Sequence, residues 1–194
     1  MSKFNQKTFD LWIKDKKQYR LKNDFDLSKD SIVIDAGTYK GNWAREIRDE
    51  YGCEPYCFEP LFGQHLNDLN NHQYALGNRD YETHISVNKD SSSIMIGGKN
   101  IKKILVKDVN KVFENIGKDI DLLKLNIEGA EYDVLERLFA WDKFKNIKII
   151  LVQFHRCPQN YSLRRKNIRE NLKKTHKEVW CYDYIWERWD KNKK

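Results

Sequence analysis

The segment Ser31-Ile-Val-Ile-Asp35-Ala-Gly37-Thr-Tyr-Lys-Gly41 most constrains what this chain can fold into. A short β-branched apolar run ends in a carboxylate, two glycines follow, and Asn42 to Tyr51 then reads as a helix. That order predicts strand, tight turn and helix, the opening unit of a parallel α/β sheet. Gly37 is expected to permit the turn, and Gly41 to let the helix start approach a ligand with no Cβ in the way.

The rest of the chain repeats the alternation. Tyr56-Cys-Phe-Glu59-Pro60 reads as a strand stopped by proline, Leu61 to Leu69 as a helix and Tyr74 to Gly77 as a third short strand. Tyr81 to Lys103, with its serines and the Gly97-Gly98 pair, reads as an insertion of short strands and a mobile loop. Lys103 to Asp108 reads as strand, Val109 to Ile116 as helix, Asp121 to Ile127 as a buried strand and Ala130 to Phe139 as the helix behind it. Ile147 to Phe154 is the clearest buried strand; Ser162 to Thr175 reads as helix, and Glu178 to Trp189 as one long strand or a closing hairpin. Such alternation implies right-handed crossovers and a mainly parallel, doubly wound sheet with an antiparallel C-terminal strand, ligands lying beyond the strands' carboxyl ends.

A length of 194 residues suits one domain: a helical flank over 1–30, a cofactor-binding core over 31–155 and a basic, aromatic closing segment over 156–194. The longest apolar stretch is far below the ~20 residues a bilayer requires, and the N-terminus lacks the apolar core of a secretory signal. The expected location is the cytoplasm, with four free cysteines, since none has a paired metal-ligand or redox spacing. From Asn160 onward eleven Lys/Arg face five Asp/Glu, so +6 of the net +7 lies in this last stretch. Such a field attracts anions, whether sugar-nucleotide phosphate, lipid diphosphate or nucleic acid.

The glycine turn lacks the middle glycine that a dinucleotide pyrophosphate needs for its backbone cradle. The amino-acid part of S-adenosylmethionine can instead use backbone amides and a carboxylate, which Asp35 supplies in this reading. Glu59, 24 residues after Asp35, stands where an acid at a second strand tip accepts both ribose hydroxyls. The expected cofactor contacts are Asp35, Gly37, Thr38, Tyr39, Gly41, Glu59, Pro60, Leu76 and Asn78, with Asp80 as an alternative to Asn78 for the adenine amino group.

VIDAGTYKG, YCFEP, YALGN, DLLKLNIEGAEYDVLERL and IILVQFH, in this order, resemble the FkbM-type methyltransferases over about residues 30 to 155. The fourth segment is the most specific. The resemblance implies a Rossmann-like class I methyltransferase fold, S-adenosylmethionine as cofactor and O-methylation of a sugar in a glycan or natural product. Asn126 departs from the aspartate usual there, so a divalent metal loses a hard ligand and none is expected.

Deprotonating a sugar hydroxyl calls for a base near the methyl group. Period-two alternation places Lys124, Asn126 and Glu128 on one strand face, with Glu128 at the carboxyl edge as base, acceptor ligand or helix cap. His155 ends the neighbouring strand with an imidazole expected near neutral pKa, and Gln153 points the same way. Glu131 reads as a cap. Ser91, Ser92 and Ser93 read as polar loop; Arg156, Arg164, Arg165, Lys166 and Arg169 as a solvated face or an acceptor-phosphate site; Trp180, Tyr182, Tyr184, Trp186 and Trp189 as core or a sugar-stacking platform. A methyltransferase of RNA and a cofactor-binding module without turnover stand as alternatives, and the oligomeric state is open.

Overall fold

The computed structural model describes residues 6–15, 24–61, 63–87, 92–93 and 101–193. The expected loop around Gly97-Gly98, and Ser91, lie outside the described residues.

The opening unit forms as read. β1 (Val33–Ala36) is buried along its whole length and leads into α2 (Asn42–Tyr51), which follows α1 (Gln6–Lys14) in the chain. Glycines bracket α2: Gly41 enters it at φ 80°, and Gly52 closes it at φ 72°, its N–H donating to the Arg48 carbonyl at 2.8 Å. Left-handed glycine at that position satisfies a carbonyl the helix end would otherwise leave bare.

β2 (Tyr56–Phe58), β3 (Asn70–His72), β8 (Leu122–Leu125) and β9 (Ile149–Val152) join β1 in a parallel array. The closing hairpin, β10 (His176–Tyr182) and β11 (Trp186–Lys191), inserts β11 antiparallel against β9. The order is β10-β11-β9-β8-β1-β2-β3. The chain leaves β1 in one direction through β2 and β3, then returns to β1's other side with β8. A crevice opens outside the carboxyl ends at such a reversal.

Two expectations fail next to β2. Leu61 to Leu69 gives only a 3₁₀ turn over Gln64–Leu66, because the segment serves as a short strap whose Leu66 and Leu69 pack against Ala44 and Cys57 under α2. The third strand of the main sheet is Asn70–His72, whose polar residues carry no strand signal; backbone pairing to β2 makes it. β4 (Ala75–Gly77) leaves this sheet and pairs with β7 (Ile101–Asp108) in a second one, of order β4-β7-β5-β6, with β5 (Tyr81–Val87) and β6 (Ser92–Ser93). The insertion is thus a small sheet beside the main one.

Alternation sorts the main sheet's two faces. Ile34, Leu123, Ile150 and Val152 pack toward α3 (Val109–Ile116), α4 (Glu131–Leu138) and α5 (Tyr161–Leu172) with Phe113, Tyr132, Leu135 and Ile168. Val33, Leu122 and Leu151 face the other way, onto Trp12 of α1, Ile47 of α2, Trp180 and Trp186. The N-terminal helix therefore flanks the sheet. The C-terminal tryptophans are core, with Trp189 fully buried, which removes them as a sugar platform. Burying such side chains contributes about 1.5–3 kcal/mol apiece.

Candidate functional site

Asp35 and Lys124 stand opposite each other in the β1–β8 register, both on the α2 face. A lone charge there would be costly, and the two neutralise each other: Lys124 Nζ donates to Asp35 Oδ1 at 2.5 Å and to the Gly37 carbonyl at 3.2 Å. It also lies 5.3 Å above the Trp43 ring. Asp35 is 0% exposed at the start of the glycine turn.

The turn is built around its neighbours. Gly37, at φ 80°, donates its N–H to the Phe58 carbonyl at 3.0 Å, and a Cβ there would meet the Asn126 carbonyl oxygen at 1.9 Å. Thr38 is buried, its hydroxyl donating to the Asp35 carbonyl at 2.8 Å. Tyr39 is 49% exposed with φ 52°, and its backbone N–H donates to Glu59 Oε2 at 2.9 Å. Leu61 N–H donates to Glu59 Oε1 at 3.0 Å, so one carboxylate joins the glycine turn to the tip of β2. Burial pushes the Glu59 carboxyl up, against the pull of these two N–H groups.

Other expected cofactor residues divide. Pro60 is half-buried beside Glu59. Gly41 is held at φ 80°, where an L side chain is strained, and a Cβ there would also press on Leu69 Cδ1 at 2.5 Å. Leu76 is 2% exposed and belongs to the core around Phe58 and Val109. Asn78 is exposed, while Asp80 accepts from the Asp108 N–H and from Lys111 Nζ, each at 2.8 Å, and so anchors a turn.

At the tips of β8 and β9 the structure assembles what the sequence showed as scattered acids. The strand ends at Leu125, and Glu128 sits in the following turn at φ 53°, so the strand alternation that placed it with Lys124 and Asn126 does not extend to it. His155 Nε2 is 3.4 Å from Glu128 Oε1, and its Nδ1 is 3.1 Å from Glu131 Oε1. Glu131, expected to cap, is wholly buried and does more: it accepts from the Gly129 N–H at 2.9 Å and from the His155 N–H at 2.6 Å. The Tyr132 hydroxyl donates to the His155 carbonyl at 2.7 Å, and Cys157 Sγ to the Glu128 carbonyl at 3.3 Å. The imidazole is not the near-neutral group expected. Burial lowers its pKa, but the hydrogen bonds and charges of Glu128 and Glu131 outweigh that and lift it to about 10. At neutral pH it is an imidazolium between two acids. The signal for Glu131 was its three-residue offset from Glu128, which placed it on the first turn of α4.

Asn126 lies between these two groups. Its N–H donates to the Ala36 carbonyl at 3.1 Å, and its Oδ1 is buried with no hydrogen-bond partner. Asp35 Oδ2 is likewise buried and unmatched. Buried acceptors of this kind call for a donor from a ligand or water. Gln153, half-buried, continues β9 by donating its N–H to the Leu125 carbonyl at 3.0 Å.

The C-terminal arginines are engaged within the fold. Arg164 pairs with Asp133 and Glu136, each at 2.6 Å. Glu187, 1% exposed, accepts from Arg165 Nε at 2.7 Å and from Arg169 at 2.5 Å. Glu178, Cys181 and Glu187 have the spacing of a metal cluster, but these two guanidiniums already supply its positive charge. Arg156 stacks 4.2 Å from the Tyr184 ring centre. Among the described residues no helix is long and apolar enough to cross a membrane.

The strand order and the crevice between the β1 and β8 tips define a Rossmann-like, class I methyltransferase fold. Residues 35–180 match the model of the methyltransferase FkbM domain, and the chain belongs to the FkbM methyltransferase family. Among solved structures, the methyltransferase FkbM from Methylobacillus flagellatus KT matches with a TM-score of 0.51 and 14% identity. The match covers 86% of this chain and 44% of that one, and at this identity it speaks for the fold alone. No curated protein matches.

Proposed function

We propose that the protein methylates a sugar hydroxyl of a glycan or glycoconjugate, with S-adenosylmethionine as donor. The family assignment supports methyl transfer, and the row Glu128–His155–Glu131 beside the glycine turn is the observation that carries the oxygen acceptor.

The residues present fit the donor. The Glu59 oxygens each take one backbone N–H and keep lone pairs for two ribose hydroxyls. The unmatched Asn126 Oδ1 suits an ammonium donor at the turn. When bound, the donor supplies a methyl group already activated by its sulfonium charge. The protein's tasks are then to align an oxygen and to take its proton.

Glu128 takes the second task in this reading. His155, already charged, cannot accept a proton at neutral pH; it orients the Glu128 carboxylate from one side while Glu131 holds the ring from the other. The ion pairs of Arg164, Arg165 and Arg169 favour a sugar acceptor over an RNA groove. Mass spectrometry of the host's surface glycans, with and without the gene, tests the proposal. Loss of one methyl ether is expected, and an unchanged set of methyl ethers contradicts it.

A further inference from the structure

We infer that Lys124 cancels the charge of Asp35 beneath the glycine turn, so that the single negative charge of Glu59 sets, and Lys124 limits, the pocket's preference for the cationic methyl donor over its neutral product. The inference rests on the cofactor reading above and assigns a specificity role to a lysine at no point in contact with the acceptor site.

The geometry is that of a compensating charge. The Lys124 and Asp35 side chains are 8% and 0% exposed, and the amine has three uses: Asp35 Oδ1, the Gly37 carbonyl and the Trp43 face. The other Asp35 oxygen has no partner, so the salt bridge is the main support for an ionised carboxylate in a dry site. Further charges near it are unhelpful. Burial and then Asp35 keep the Cys57 thiol on β2 uncharged, Glu59 just past it feels Asp35 as a like charge, and Arg45 on α2 is bound to Asp68.

The consequence follows from the ligands' own charges. S-adenosylmethionine carries a sulfonium, an ammonium and a carboxylate, net +1, whereas S-adenosylhomocysteine lacks the sulfonium charge. Any unit of charge in the pocket therefore acts on the difference between them. Without Lys124, the charge of Asp35 is left uncancelled and adds to that of Glu59.

Calorimetry with both ligands at one neutral pH tests this on the wild type, Lys124→Met, Asp35→Asn and the Asp35→Asn/Lys124→Met pair. In Lys124→Met the donor preference is expected to rise about tenfold over wild type. The double variant, with a neutral pair, is expected to track wild type. Asp35→Asn leaves Lys124 uncompensated and is expected to lose donor preference about tenfold; this arm decides the matter if Lys124→Met does not fold. Donor preference equal to wild type in either single variant overturns the inference alone, while failure of the wild type to bind either ligand removes the cofactor reading and the inference together.

Discussion

One carboxylate oxygen of Glu131 serves His155 twice, accepting its backbone N–H at 2.6 Å and standing 3.1 Å from Nδ1 of its ring. The bond fixes which ring nitrogen faces inward and leaves Nε2 for Glu128. Glu131→Gln keeps the size and removes the charge. The His155 titration midpoint, followed by NMR of the ring carbons, is expected to fall from about 10 toward the ordinary histidine range. An unmoved midpoint would show that Glu128 alone sets it.

The same site gives stability a pH dependence. His155 is held at about 10, above the 6.5 of an unfolded histidine, so the folded state binds the proton more tightly. Its contribution is fully present below pH 6.5 and is lost progressively as pH rises toward 10. Thermal melts of wild type and His155→Gln across this window are expected to converge at the alkaline end. Parallel curves would contradict the assignment. At neutral pH the variant leaves Glu131 buried beside no cation, at a cost of about 3 kcal/mol.

Glu59→Ala removes the acceptor for both ribose hydroxyls. Hydrogen bonds to a charged group contribute about 1.5–3 kcal/mol each, so affinity for S-adenosylmethionine is expected to fall about 100-fold or more by calorimetry. His155→Ala is expected to retain that affinity and lose turnover. Equal binding by wild type and Glu59→Ala would remove Glu59 from the cofactor site.

Two glycines with similar backbones separate strain from clash. Gly37 and Gly52 have φ of 80° and 72°, yet a Cβ at Gly52 meets nothing nearer than Lys29 Cβ at 3.7 Å, against 1.9 Å to the Asn126 carbonyl at Gly37. Gly52→Ala is expected to cost about 1–2 kcal/mol, the left-handed penalty alone. Gly37→Ala is expected to cost more than about 3 kcal/mol in denaturant unfolding, because the Asn126 backbone just past β8 must move. Equal costs would mean that the β1–β8 contact yields easily.

Much of the fold was legible because its signals are local. Asn42 to Tyr51 read as a helix to the residue, since a glycine stands at each end and apolar positions recur at helical spacing between them. Val109 to Ile116 did the same behind the Asp108 cap, whose side chain accepts from the Asn110 N–H at 3.0 Å. Asn70–His72 was illegible, because nothing in its side chains favours a strand and pairing to β2 supplies the reason. Pattern alone also gave Tyr74 to Gly77 no address, and it joined β7 rather than the main sheet.

By itself the sequence determined which segments are strands and helices over most of the core and that the sheet is mainly parallel, and it put forward Asp35, Glu59, Glu128 and His155, at or just beyond the strand tips, as candidate site residues. Period, β-branching and glycine placement act over a few residues and can be read from them. Only the tertiary structure decided what those side chains touch. Lys124 reaches Asp35 across 89 residues of chain through the β1–β8 register, and Glu131 meets His155 across 24 because α4 packs under the tip of β9. Charge pairing in a buried site depends on distance in space and on exclusion of water, neither of which exists until the sheet has closed.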